Sequence, residues 1–247
     1  MLASLLLAVV LPAYIVAAGV VGIPFTLVTR DARFLYWLAR QGLRLGFTLA
    51  RIKIVIHGLD RLTASQHFIC MMNHNSNLDV PAVFLKLPGQ VRVLGKKELF
   101  RLPVLSTAMR LGGFVPVDRS DRESAIESLS NASRLAADGA SFLIAPEGTR
   151  SRSGRLLRFK KGGFHMAIDS QVPILPITVI GAFELMPPGS LAIRSGTIEI
   201  FLHEPIETSG LGRKDRQDLM ARVRAPMEET LTRHFEKLQS REPSSSV

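Results

Sequence analysis

Two short polar stretches carry the residue types that acid–base chemistry needs. The first is Asn73-His74-Asn75-Ser76-Asn77-Leu78-Asp79. It follows an apolar run and precedes a helix-forming one, which is where α/β proteins place their sites, at a strand's carboxyl end. His74 and Asp79 are five residues apart. On one continuous helix they would point about 140° apart, so they meet only if the chain turns between them. Asn75-Ser76-Asn77 permits such a turn. A carboxylate on one imidazole nitrogen fixes the tautomer and leaves the other nitrogen as a base. That dyad suits removal of a proton from a hydroxyl and demands no metal. By itself, the spacing also fits a loop histidine beside an N-capping aspartate, with Pro81 in the first helical turn. Ser76 is a weak nucleophile candidate, because no nucleophile-elbow motif surrounds it.

The second stretch runs from Ala145-Pro146-Glu147-Gly148-Thr149-Arg150-Ser151 to Phe159-Lys160-Lys161-Gly162-Gly163. It again follows an apolar strand candidate. Arg150, Arg152, Arg155, Arg158, Lys160 and Lys161 make it strongly basic. Gly148 and Gly154 allow close backbone approach, and Gly162-Gly163 opens a helix whose N-terminus favours an anion. Arginine offers phosphate a bidentate fork and lysine a point charge. Glu147 is a lone carboxylate in this cationic loop, able to accept from a hydroxylated ligand or to anchor Arg150. A solvated surface loop explains the same charges. A nucleic-acid surface also needs aromatic platforms or a reading helix, and aromatic residues make up only 6% of the chain. Two weaker stretches are Gly113-Phe114-Val115-Pro116-Val117-Asp118-Arg119 and Val172-Pro173-Ile174-Leu175-Pro176-Ile177. Each alone reads as a strand, the former ending in an Asp-Arg pair.

The elements that must position these residues alternate. Strands are expected at 52–57, 67–72, 91–95, 114–117, 141–145, 174–180 and 196–203. Helices are expected at 79–87, 99–111, 122–138, 164–170 and 216–238. This order implies an α/β fold with a mostly parallel sheet covered by helices. Composition excludes several other classes. With 47% hydrophobic residues the chain can build a core. One cysteine, Cys70, forms no internal disulfide and no multi-cysteine metal cage. Gly and Pro show no repeat period.

The apolar excess is concentrated at the start. Met1 to Thr29 contains no charged side chain. About 20 apolar helical residues suffice to span a bilayer core, so this stretch can do so. Pro12 and Pro24 predict a kink or an early helix end. No basic residue precedes the run, which argues against a cleaved signal peptide. Arg30, Arg33, Arg40, Arg44, Arg51 and Lys53 follow it, and the positive-inside rule then puts the remainder in the cytoplasm. Residues 33–50 form an amphipathic, interfacial helix candidate carrying Tyr36 and Trp37. The expected organisation is membrane-anchoring helices over 1–50, a catalytic domain over 51–240 and a disordered tail over 241–247. The net charge of +10 suits an anionic membrane surface.

In this order and spacing, the four stretches resemble the PlsC-type 1-acyl-sn-glycerol-3-phosphate (lysophosphatidate) acyltransferase family. Its Asn-His-x4-Asp motif is matched by Asn73, His74 and Asp79. Its Gly-x3-(Ile/Val)-Asp-Arg motif is matched by Gly113, Val117, Asp118 and Arg119. Pro146 to Ser151 match Pro-Glu-Gly-Thr-Arg-Ser, with Phe-Lys-Lys-Gly following at Phe159 to Gly162. Val172 to Ile177 match the fourth motif. Ala145 replaces the usual Phe, and Arg158 a frequent Pro. The resemblance covers about residues 50–205. It implies a glycerol-3-phosphate acyltransferase-like fold and transfer of an acyl group from acyl-CoA or acyl-carrier protein to the sn-2 hydroxyl of lysophosphatidate. It implies His74 as general base oriented by Asp79, with backbone N–H groups holding the oxyanion. Arg119, Glu147, Gly148 and Arg150 would bind the glycerol phosphate, together with Asn73, Thr149 and Lys160, and Pro176 would shape the donor side. No metal and no cofactor beyond the acyl-donor co-substrate is implied. Partners are a lysophospholipid and the membrane, with no nucleic acid. The same chemistry on lyso-ornithine lipid or lysophosphatidylglycerol is an alternative. So is an anionic-lipid binding module without catalysis, although binding alone does not require the His74–Asp79 pair.

Overall fold

The computed structural model describes residues 2–62 and 66–240. The expected tail over 241–247 lies outside the described residues. The chain runs α1 (Leu2–Thr29), α2 (Arg33–Leu49), β1 (Ile52–His57), β2 (Ile69–Met72), α3 (Asp79–Lys86), β3 (Val91–Lys96), α4 (Leu105–Leu111), β4 (Val115–Val117) and α5 (Arg122–Ala137). It continues through β5 (Ser141–Ile144), α6 (Gly162–Ser170), β6 (Ile174–Ile180), α7 (Ala182–Leu185), β7 (Gly196–Leu202) and α8 (Arg216–Gln239).

The seven strands form one sheet in the order β1-β7-β6-β2-β5-β3-β4. Every pairing is parallel except β6 with β7. A parallel sheet is covered on both faces, so its strands read as continuous apolar runs; all four residues of β2 and all seven of β6 are buried. Successive side chains alternate between faces. Cys70 and Met72 join the core under α2 and α3, while Ile69 and Met71 join the core under α5, α6 and α8. Burial pushes the Cys70 thiol up to about 12, which leaves it an inert packing residue.

Pro176 lies in β6, inside the sheet, where a missing N–H is normally excluded. Ile174 exchanges both backbone hydrogen bonds with Ile206, and Pro176 O accepts from His203 N at 3.0 Å. The absent N–H of Pro176 therefore points to the β7 side. There the regular pairing with β7 has ended at Leu202, and only the Ile174–Ile206 bridge continues it.

The expected single helix over 99–111 is divided. A 3₁₀ turn occupies Lys97–Arg101, and α4 starts only at Leu105. Pro103 disfavours helical geometry at the residue before it and supplies no N–H. The break is closed by a tight turn in which Leu105 N donates to Pro103 O and Val104 takes φ +64°. That conformation is strained for a β-branched residue. Short α7 was not anticipated, because four residues give no readable period.

The first two helices form an antiparallel hairpin. Tyr14 Oη donates to Leu38 O at 2.8 Å, and its ring lies over Gly42, where a Cβ would come within 2.5 Å of it. Phe25 and Phe34 rings pack at 4.8 Å. Of the expected kink or early stop, the early stop does not occur: α1 continues through Pro12 and Pro24 to Thr29. Its contact with α2 along the shared length supports it where two backbone hydrogen bonds are missing. In turn α2 is fixed to the α/β body, with Tyr36 Oη donating to Gly112 O at 2.9 Å and Arg40 to Leu87 O at 2.9 Å. Two further points fix α1 itself. Ser4 Oγ accepts from Ile193 N at 3.0 Å, and the Val104 side chain fills the notch at Gly19. The outer face of α1 is apolar and open, with Val20 69% and Val28 84% exposed.

Candidate active site

The carboxyl ends of β2, β3, β4 and β5 collect the polar stretches along one rim of the sheet. At the end of β2, the Asn73 side chain replaces the backbone ladder. Its Nδ2 donates to Val179 O at 2.9 Å and its Oδ1 accepts from Val179 N at 2.7 Å. Asn73 is buried. Its amide thus extends the pairing of β2 with β6 by one step and fixes where His74 emerges.

The chain then turns because Asp79 gathers it. Oδ2 of Asp79 accepts from Asn75 N and Ser76 N, both at 2.7 Å, and lies 3.0 Å from His74 Nδ1. Asp79 starts α3 but its carboxylate does not cap that helix; it folds the preceding loop onto itself. The turn required to bring residues 74 and 79 together is therefore built by one of the pair. Ser76 Oγ donates to Met186 O at 2.7 Å and accepts from Leu78 N, so this hydroxyl is committed to structure. With Nδ1–H donated to Asp79, the basic nitrogen of His74 is Nε2. The His74 side chain is 14% exposed, against 0% for Asp79.

The loop after β5 braces the same histidine. Glu147 Oε1 accepts from His74 N, and Oε2 from Leu157 N, both at 2.8 Å. Ser151 N donates to His74 O at 2.7 Å. Both backbone groups of His74 are thus held by one loop. Glu147 is 2% exposed, and burial raises its carboxyl above the ordinary range despite those two N–H donors. Within the described structure it neither pairs with Arg150 nor offers a free oxygen to a ligand. The cations take other positions. Arg119 Nη1 donates to Gly148 O at 2.7 Å, and Arg150 Nη1 to Asn77 Oδ1 at 2.8 Å. Gly148 has φ +70° and lies under the Lys160 side chain, where a Cβ would sit 2.7 Å from Lys160 Cδ. Thr149 is exposed beside them. Pro176 remains within β6, in register with Met71.

Asp118, at the end of β4, pairs with Lys97 at the end of β3 and accepts from Ser120 N and Oγ. Those donors hold its carboxyl well below the usual range. Lys97 was not singled out in the sequence, since the 97–118 pairing depends on the β3–β4 register. Among the described residues no group of three His, Cys, Asp or Glu side chains is placed to hold a metal.

A groove of about 1100 Å³ opens beside this rim, over Leu94, Val117 and Ile144 and between α5 and α6. Arg119, Arg122, Arg158, Lys160 and Lys161 line it. Among the described residues none of these five lies within 4 Å of a carboxylate. His74 does not line the groove. It adjoins it through Gly148 and the loop that braces its backbone.

A family model described as Acyltransferase matches residues 53–180, which take in β1 to β6 and both polar loops. The chain belongs to the acyltransferase family. The chloroplastic 1-acyl-sn-glycerol-3-phosphate acyltransferase BAT2 of Brassica napus is 38% identical over 156 residues, 62% of this acyltransferase and 45% of that protein. The chloroplastic 1-acyl-sn-glycerol-3-phosphate acyltransferase LPAT1 of Arabidopsis thaliana is 34% identical over 200 residues, 79% and 56% of the two chains. The human 1-acyl-sn-glycerol-3-phosphate acyltransferase alpha is 32% identical over 177 residues, 71% and 62%. This acyltransferase thus spans 45% to 62% of the length of these relatives. The crystal structure of the 1-acyl-sn-glycerophosphate acyltransferase PlsC from Thermotoga maritima matches with a TM-score of 0.75 at 24% identity, over 95% of this chain and 97% of that one. The two share a fold, including the N-terminal helices that the family model leaves out.

Proposed function

We propose that this acyltransferase moves a fatty acyl group from acyl-CoA or acyl-carrier protein to the free sn-2 hydroxyl of lysophosphatidate. The supporting observation is the His74 Nδ1–Asp79 Oδ2 contact at 3.0 Å, in a loop that immobilises both residues. His74 Nε2 takes the hydroxyl proton as the oxygen bonds to the thioester carbonyl carbon. The tetrahedral intermediate then expels the thiolate, which recovers the proton from His74. A positioned base of this kind contributes about 10²–10⁴-fold. Arg119, Arg150 and Lys160 suit the phosphate of the acceptor, as charge-assisted donors around the Gly148 backbone. Glu147 serves this chemistry by holding the backbone that presents them and His74.

The α1–α2 hairpin is proposed to seat the enzyme in one leaflet, with the catalytic body on the cytoplasmic face. A 28-residue helix is about 42 Å long at 1.5 Å per residue, so a crossing helix would carry its two ends to opposite sides. Here Ser4 near one end bonds to Ile193, and Phe25 near the other packs on Phe34. The exposed apolar face of α1 and the exposed Trp37 then meet lipid, which places acceptor and enzyme in the same layer.

Acyl transfer by membranes carrying the wild type or His74→Ala tests the reading. Lysophosphatidate, lysophosphatidylglycerol and lyso-ornithine lipid serve as acceptors, each with acyl-CoA and with acyl-carrier protein. Transfer to lysophosphatidate that collapses in His74→Ala supports the proposal and identifies the donor. Transfer to another acceptor alone moves the substrate. Lipid binding without transfer in both proteins removes the catalytic reading.

A further inference from the structure

We infer that Arg224, on α8 and outside the matched family region, is a positioning residue that holds His74 in place through Leu157 and Glu147. The inference rests on the reading of His74 as the base.

Arg224 Nη1 donates to Leu157 O at 2.8 Å, and Nη2 reaches Leu156 O at 3.4 Å. The other edge of the guanidinium forms a two-point pair with Glu228, Nη2–Oε1 at 2.7 Å and Nε–Oε2 at 3.1 Å. Its face lies over the Phe159 ring, 5.3 Å from the centroid. Phe159 is itself buried and stacked on Phe164. The guanidinium is therefore fixed in plane by Glu228 and in height by Phe159, which suits its rigid fork of donors.

Leu157 is held from both sides. Its C=O accepts from Arg224, and its N–H donates to Glu147 Oε2 at 2.8 Å. The opposite oxygen of Glu147 accepts from His74 N at 2.8 Å. A continuous line of charge-assisted hydrogen bonds thus runs from α8 to the backbone of the base. Glu147 is almost fully buried, so no bulk solvent replaces a lost partner. If residues 156–157 shift away from Glu147, its carboxylate follows or loses a donor, and the His74 backbone moves with it. The Arg155 guanidinium, 5.9 Å from the Phe235 ring centroid, gives α8 a second hold on the same loop. No part of this line is visible in the sequence, where Arg224 and Glu228 form an ordinary i,i+4 pair on a helix surface.

The test compares steady-state acyl transfer by the full-length enzyme in vesicles, with Arg224→Met, Arg224→Lys, Glu147→Gln and the Arg224→Met/Glu147→Gln double variant. Arg222→Met, from an exposed pair on the same helix, is the control and keeps wild-type activity. A positioning role predicts that Arg224→Met lowers kcat about tenfold, less than the 10² that a 1 Å misplacement of reacting groups can cost. KM for the acceptor stays unchanged, and Arg224→Lys, which keeps one donor, falls between. The double variant is then no slower than the slower single variant, since both cut one line. Thermal unfolding identifies the folded variants, and Arg224→Lys carries the comparison if Arg224→Met does not fold. Wild-type kcat in folded Arg224→Met, effects that multiply in the double variant, or a change in acceptor KM alone would overturn the inference. His74→Ala, assayed alongside, separates the two readings. Transfer retained in His74→Ala removes the base and this inference with it. An inactive His74→Ala beside a fully active Arg224→Met removes the positioning role alone.

Discussion

The loops after β2 and β5 sit side by side on the same rim and differ in how their polar groups are used. In the β2 loop almost every side chain is committed: Asn73 to Val179, Ser76 to Met186 and Asp79 to three N–H donors including the imidazole. Asn75 Oδ1 and Asp79 Oδ1 are buried without a partner among the described residues, and the one basic group that remains is His74 Nε2. In the β5 loop one carboxylate is committed, Glu147, while Arg158, Lys160 and Lys161 reach into the groove with no acidic partner among the described residues. On the proposed function, the difference suits the chemistry assigned to each loop. Proton transfer falls off steeply with misplacement, so a base has to be immobilised. Attraction of a phosphate declines slowly with distance, so unpaired cations on flexible stems suffice.

The contrast predicts a split in kinetics. In the β2 loop, His74→Ala and Asp79→Asn are expected to lower kcat by at least about 10²-fold with little change in acceptor KM. An acceptor KM that moves instead, with kcat intact, breaks the comparison. In the β5 loop, Arg150→Ala and Lys160→Ala are expected to raise acceptor KM by roughly tenfold, about 1.4 kcal/mol, with kcat near wild type. The wild-type KM should also rise with added salt, since exposed cations are screened. Salt-independent KM values would show that these side chains do not read charge.

Glu147 sharpens the comparison through pH. Its carboxyl is raised by burial in the folded protein, so the folded state holds the proton where the unfolded chain has released it. The associated stability is fully present below the ordinary glutamate value and declines as pH rises through the raised one. Chemical denaturation across that window should show wild-type stability falling relative to Glu147→Gln, which has no such proton to lose. Parallel curves would mean that the carboxyl is not raised. The smallest effect is expected far from the rim. Val20→Arg, on the open face of α1, should weaken vesicle binding while kcat on detergent-dispersed acceptor stays unchanged, with residual binding through the Arg30–Arg51 flank. Complete loss of membrane association would point instead to a helix that crosses the bilayer.

Much of the fold was legible because buried parallel strands leave apolar runs between amphipathic helices, as 69–72, 141–144 and 174–180 do here, while the edge strand 52–57 shows as an alternating, β-branched segment. The division of the 99–111 stretch was not, since apolar spacing carries across Pro103 while the backbone does not. Whether α1 would stop at Pro12 or Pro24 was left open for the opposite reason. Local proline rules omit the support that α2 provides along its side. At the rim, the residue types of His74 and Asp79 raised the possibility of a dyad, and the structure brings Nδ1 and Oδ2 to 3.0 Å. The sequence placed Asn73 and Glu147 with ligand-binding residues, yet the structure turns their polar atoms to Val179, His74 and Leu157.

By itself the sequence determined which chemical groups exist, their order, and that an apolar N-terminal segment with a basic flank precedes an α/β body. Those properties are local: they depend on side-chain type, on periods of two and 3.6, and on charge within a few residues. Only the tertiary structure decided which of those groups remain free. Pairings such as 74 with 147, 157 with 224 and 4 with 193 join positions far apart in the chain. They form because buried hydrogen-bonding groups must find partners, and the partner within reach is set by strand order and helix packing rather than by sequence distance.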